Sequence, residues 1–150
     1  MKIATFSDLH LDGLARREKT EVHDLRVRLA RAIDDEEFDM LVIGGDLSND
    51  CRVSSEVVRE LRKDLARPVY YVPGNHDLYN VNNGWTTDEI VRFLKEDENC
   101  LFGRRLDLAD GSSVIGHIGW YDYSYAPQDE FTLEQFASKS HVGRKWRDVD

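Results

Sequence analysis

"VYYVPGNHDLY", residues 69–79, decides how the chain is read. An apolar run of β-branched and aromatic residues ends at a Pro-Gly pair, followed at once by an amide, an imidazole and a carboxylate: Asn75, His76 and Asp77. Such a run is expected of a strand buried on both faces. In an open parallel sheet, ligands bind beyond the carboxyl ends of the strands, where side chains leaving neighbouring strands converge. Polar groups at that position are therefore candidates for chemistry.

Two similar runs precede it, "KIATF" (2–6) and "MLVIG" (40–44). Between the runs, Val22, Leu25, Leu29 and Ile33 recur at helical spacing, as do Val57, Val58, Leu61 and Leu65. The succession is β-α-β-α-β, which predicts parallel strands joined by right-handed crossovers and an α/β fold. The acidic "DDEE" at 34–37 opposes the dipole at the end of the first helix and terminates it in solvent. Thr86 and Glu89 form a capping-box pair, and Ile90, Val91 and Leu94 continue a third helix to about Asp97. Then "RRLDLADGSSVIGHIGW" (104–120) predicts a hairpin turning at Asp110-Gly111. The aromatic "WYDYSYAPQDE" (120–130) is irregular, and its Trp120, Tyr121, Tyr123 and Tyr125 are read as core rather than cleft lining. The last stretch, "FASKSHVGRKWRDVD" (136–150), shows no turn, cap or strand that would close a sheet edge.

A chain of 150 residues with 41% apolar content is expected to form one domain with a real core. Its formal charge of −9 repels nucleic-acid backbones, so nucleic-acid binding is disfavoured. Small phosphorylated substrates stay open, because bound cations neutralise carboxylates locally. Cys51 and Cys100 form neither a CxxC pair nor a disulfide framework, which fits a reducing compartment. The N-terminus lacks a signal-peptide core, and no run approaches the roughly 20 apolar residues that span a bilayer. The expected location is the cytoplasm, with no membrane partner.

The exits of the three strands carry Ser7-Asp8-Leu9-His10, Gly44-Gly45-Asp46 and Pro73-Gly74-Asn75-His76-Asp77. The i, i+2 spacing of Asp8 and His10 places them on one side of an extended backbone. Carboxylate with imidazole suits Zn, Fe or Mn better than Ca. Glycines 44, 45 and 74 permit sharp turns and close approach. Asp46 is placed to bridge two cations, which at about 3.5–4 Å apart polarise a phosphoryl group and activate a shared water. On this reading Asn75 supplies a neutral oxygen ligand, His76 faces the substrate, and Asp77 orients an imidazole. Asp12 is read first as a turn residue before Gly13, with a supporting carboxylate role second.

"DLH" (8–10), "GGDL" (44–47) and "GNHD" (74–77), in that order on successive βα units, resemble the calcineurin-like metallophosphoesterases. The resemblance, which covers Met1 to Asp77 best, implies a sandwich of two mixed sheets flanked by helices, with a dinuclear Mn, Fe, Zn or Ni centre. It implies that Asp8 and His10 hold the first metal, Asp46 bridges, Asn75 holds the second, and His76 protonates the leaving oxygen or stabilises the transition state. The expected function is hydrolysis of phosphate mono- or diesters by a metal-bound hydroxide. The pattern also includes a later Gly-His-x-His, whereas the five histidines here (10, 23, 76, 117 and 141) provide none. His117 is read as a strand histidine, and His23 and His141 as solvated. The chain thus reads as one domain over 1–150, the amino-terminal portion of such a protein, ending before its last ligands. The alternative is a catalytically incomplete metal-binding fragment or partner-binding module, with unpaired sheet edges inviting self-association.

Overall fold

A computed structural model describes residues 1–79 and 84–119, together with 132, 134, 140–141 and 144–145. They fall into two units, Met1–Ile118 and Gly119–Asp150. The first is α/β, with a parallel sheet, helices and an antiparallel hairpin, in keeping with the predicted class.

The apolar runs form β1 (Ile3–Phe6), β2 (Met40–Ile43) and β3 (Val69–Tyr71), parallel and in the order β1-β2-β3. Register sets the position of the site. Phe6 pairs with Ile43 and Ile43 with Tyr71, so all three strands finish at the same level of the sheet. Leu41, Ile43, Val69 and Tyr71 are fully buried, as strands covered on both faces should be. β1 departs from that expectation. It is the outer strand of this sheet, and Ile3 remains 43% exposed.

One helix was expected between β1 and β2, and there are two: α1 (Leu11–Glu18) and α2 (Val22–Ile33). α2 carries the anticipated stripe and ends at Ile33 with Asp34 as its C-cap. α1 contains Asp12 in its first turn and Gly13 behind it, so the turn reading of Asp12-Gly13 is corrected. A carboxylate near a helix N-terminus is favourable, and Lys19, left-handed with φ 56, closes the helix by donating its N–H to the Ala15 carbonyl. The next helix, α3 (Cys51–Leu65), begins at Asp50, whose side chain accepts from the Arg52 amide, and buries Val57, Val58, Leu61 and Leu65. Full burial of each such side chain contributes about 1.5–3 kcal/mol, and this face of α3 joins β2 and β3 in one core cluster.

A short 3-10 turn covers His76–Leu78. α4 (Thr87–Glu96) starts with the predicted capping box, both reciprocal bonds between Thr86 and Glu89 being present. The chain then returns to β3, where the Tyr71 amide donates to the Asn99 carbonyl and the Leu101 amide to the Tyr71 carbonyl. The predicted hairpin follows as β4 (Arg104–Asp107) and β5 (Ser113–Gly116), with Asp107 opposite Ser113. His117 lies just past β5 and is exposed.

In the second unit the backbones of Ser140–His141 and Arg144–Lys145 pair antiparallel as β6 and β7. The strand-free reading of this stretch missed them, because a two-residue ladder is too short to leave a periodic signal. The aromatic expectation for Trp120, Tyr121, Tyr123 and Tyr125 falls outside the described residues. No helix among the described residues is long and apolar enough to cross a membrane.

Both cysteines are free and buried. Burial pushes the Cys51 thiol up to about 11, with the Asp50 charge adding to it, and burial likewise pushes Cys100 up to about 11. The thiolate is the reactive form. Ellman's reagent at pH 8 is therefore expected to leave both thiols of the folded chain unmodified over a time in which urea-unfolded chain reacts at both. Rapid reaction of either thiol in the folded chain contradicts this packing.

Candidate metal centre

Because the strands end level, their exits lie side by side. The first two continue to pair after the sheet stops: the Asp8 amide donates to the Gly45 carbonyl at 3.0 Å, His10 to Asp46 at 2.9 Å and Leu11 to Leu47 at 2.8 Å. The backbone here is not extended, contrary to the spacing argument. Asp8 and His10 have φ of 60° and 43°, because the chain must turn sharply to enter α1 at Leu11. Asp46 is also left-handed, with φ 55°. Among the described residues five non-glycine positions have positive φ, and three of them are these predicted ligands. Such a conformation costs an L-residue about 1–2 kcal/mol, and it persists only where surrounding contacts enforce it.

The third exit supplies that enforcement. Asp77 is fully buried, at 0% exposure. Its Oδ2 accepts from the amides of Asp46 and Gly74, both at 2.8 Å, and its Oδ1 from the Ser48 amide at 3.3 Å and the Ser54 hydroxyl at 2.5 Å. Burial pushes the Asp77 carboxyl above its ordinary range, against the opposing pull of the Ser54 hydroxyl and the three amides. The Asp46 carboxylate in turn accepts from the His76 amide at 2.9 Å through Oδ1. Gly74 fits only as glycine, since a Cβ there would stand 2.2 Å from Asp46 Oδ1.

The expectation that Asp77 orients an imidazole is corrected: its partners are amides and a hydroxyl, and a carboxylate sealed beneath two loops satisfies buried N–H groups instead. The group bonded to the His76 ring is Asn49, whose Oδ1 lies 2.6 Å from Nδ1. Sequence reasoning missed Asn49. It stands three positions after Asp46 in "GGDLSND" with no apolar periodicity or motif to mark it.

Ligand atoms of His10, Asp46 and His76, one from each exit, lie within 4.8 Å of one another, and all three residues are half-buried. The His10 and His76 rings meet edge to face with centroids 4.6 Å apart, and Tyr79 lies 4.6 Å from His76 on a tilted plane. His76 thus stands among the groups able to hold an ion. Asp8 is exposed, and its carboxylate accepts from the neighbouring Ser7 hydroxyl. Asn75 is half-buried, at the start of the 3-10 turn, where its carbonyl accepts from the Leu78 amide. His23 is exposed on α2, as read from the sequence, with its Nδ1 3.2 Å from the Arg26 guanidinium, and does not belong to this cluster.

The role of Asp77 as a clasp is measurable. Asp77→Ala deprives three amides of their acceptor, and each orphaned buried donor costs about 1–3 kcal/mol. Urea denaturation is expected to show a loss of roughly 3 kcal/mol or more, with Asp77→Asn losing less. A midpoint unchanged by Asp77→Ala contradicts the clasp.

A model of the calcineurin-like phosphoesterase family matches residues 1–148. Two curated relatives, each named an uncharacterized metallophosphoesterase, come from Helicobacter pylori strains J99 and 26695. They are 26% and 25% identical to this chain over 133 residues, covering 87% of it. The chain spans only 32% of the length of either relative.

Proposed function

The chain belongs to the calcineurin-like phosphoesterase family, and from that premise we propose that it carries the metal-holding loops of a hydrolase acting on phosphate mono- or diesters. The observation that carries this reading is the convergence of His10, Asp46 and His76 from three strand exits within 4.8 Å. Imidazole nitrogens beside a carboxylate are a donor set that fits Mn, Fe, Zn or Ni. Asp8 and His10 would hold one cation, Asn75 a second, and Asp46 would be shared between them. The chemistry such cations supply is neutralisation of phosphoryl charge and acidification of water.

The chain's own residues do the rest. The clasp at Asp77 and the left-handed turns hold the ligands before any ion arrives, which reduces reorganisation on binding. His76 offers Nε2 to the substrate side, since Nδ1 is engaged by Asn49. From Nε2 it would deliver a proton to the departing alcohol oxygen or steady the charge developing there. The net charge of −9 disfavours extended nucleic acid as the substrate. Buried free cysteines accord with a reducing, cytoplasmic setting.

Elemental analysis of the purified chain, with hydrolysis of nitrophenyl phosphate and of its bis-ester in added Mn, tests the whole reading. The expected result is bound divalent metal and turnover abolished by chelation and restored by Mn. Metal-free protein that stays inactive in Mn excludes it.

The role of His76 is tested separately. In His76→Ala the rate is expected to fall by about 10² to 10⁴, the usual contribution of a general acid, with metal content unchanged. Loss of metal assigns His76 as a ligand instead, and full activity removes it from the chemistry.

The non-enzymatic reading has one observation of its own. Among the described residues β1 has a partner strand on one side only, and Ile3 is exposed there. An unpaired edge of this kind favours association with a second copy through strand addition.

A further inference from the structure

The family resemblance pairs Asp8 with His10 as ligands, but the fold brings a different set of groups together. The ligand atoms that converge within 4.8 Å belong to His10, Asp46 and His76, and Asp8 does not join them. Asp8 is exposed, with its carboxylate accepting from the Ser7 hydroxyl. The three converging residues are half-buried and tied together at the backbone. The His10 amide donates to the Asp46 carbonyl at 2.9 Å, and the His76 amide donates to Asp46 Oδ1 at 2.9 Å. Among the described residues, Asp46 Oδ2 and the ring nitrogens of His10 take part in no hydrogen bond.

Two imidazoles beside one carboxylate discriminate between cations. Imidazole nitrogen suits Zn, Cu, Fe and Ni, whereas Mg and Mn favour oxygen donors and water. Zn holds its donors at about 2.0–2.2 Å in a tetrahedron, which sets them about 3.3 Å apart. Groups already within 4.8 Å of one another reach that spacing by side-chain movements of about 1.5 Å or less. Three protein donors leave the fourth position of such an ion to water.

We propose that His10, Asp46 and His76 chelate a single imidazole-preferring cation, Zn above all, in a one-ion mode distinct from the sharing of two cations through Asp46. In this mode His76 is a ligand, and its imidazole is withdrawn from any substrate. Oxygen-preferring Mn leaves the imidazole to the chemistry, so Zn acts as an inhibitor of the Mn-loaded chain. That inhibition rests on the phosphoesterase reading, in which His76 serves the departing oxygen, whereas the chelation itself does not.

The test is Zn binding by the full chain stripped with chelator, measured in competition with a chromophoric chelator, and the visible spectrum with Co in place of Zn. One tightly held ion per chain and the Co spectrum of a four-coordinate site are expected. His10→Gln and His76→Gln are each expected to weaken Zn by about tenfold or more, and Asp8→Asn by less than about twofold, since losing even a ligand's supporting partner costs about 10–100-fold. Zn affinity lowered by Asp8→Asn and untouched by His76→Gln overturns the proposal, as does a chain that binds no Zn. The unaltered chain gives a second reading through diethyl pyrocarbonate, which acylates accessible imidazoles, each histidine being followed by peptide mass. Saturating Zn is expected to protect His10 and His76 while exposed His23 goes on reacting. His76 that reacts as fast with Zn as without it overturns the chelation, even if the variants fail to fold. Neither measurement reads turnover, so a chain inactive on every phosphoester still passes or fails on its own terms. Where Mn supports turnover, added Zn is expected to suppress it, and an undiminished rate with His76 protected overturns the inhibition.

Discussion

A buried carboxylate holds the site together. Asp77 accepts hydrogen bonds from amides on either side of the gap between two strand exits, from Asp46 and Ser48 on one and from Gly74 on its own. Three N–H dipoles and the Ser54 hydroxyl converge on one negative charge in a place that water does not reach. Low local dielectric makes each of these bonds stronger than it would be in solvent, and makes their loss correspondingly expensive. The loops cannot separate without breaking the bonds that Asp77 accepts from them, so this bond set constrains the distance between Asp46 and His76.

Strain and stiffness are linked here. Left-handed Asp8, His10 and Asp46 are conformations the isolated peptide would leave, and they sit where candidate ligands are needed. The strand register brings the three exits level, the ladder from Asp8 to Leu11 carries the pairing past the sheet, and Gly74 lets the third exit approach Asp46 to a separation no Cβ would tolerate. Core packing of α3 against β2 and β3 anchors these contacts, because Ser54 belongs to the same buried face as Val57, Val58 and Leu61. Apolar burial beneath the sheet thus supports polar geometry above it.

The imidazole of His76 is surrounded by groups with different tasks. His10 meets it edge to face, Tyr79 tilts over it, and Asn49 engages Nδ1. A ring held on several sides has a defined orientation, with Nδ1 engaged. Asp46 is tied to the same residue from the backbone, since its Oδ1 accepts the His76 amide. Asp46 and His76 are therefore positioned by one another, which ties together two motifs distant in sequence.

Much of the fold was legible in the chain. Apolar runs of a few residues followed by three- and four-step repeats reveal parallel strands and crossovers, because burial on two faces or on one stripe is a local demand on composition. The capping box at Thr86 and Glu89 and the hairpin at Asp110-Gly111 were readable for the same reason: each is completed by neighbours in sequence. The site was legible only as a set of candidates. That His10, Asp46 and His76 meet, that Asp77 serves the backbone and Asn49 the imidazole, and that Asp12 belongs to a helix rather than a turn, were decided by tertiary structure. Hydrogen-bond partnership between residues some 30 positions apart depends on strand register and loop curvature, and a side chain's type states what it can bond without stating which donor or acceptor the fold will bring to it.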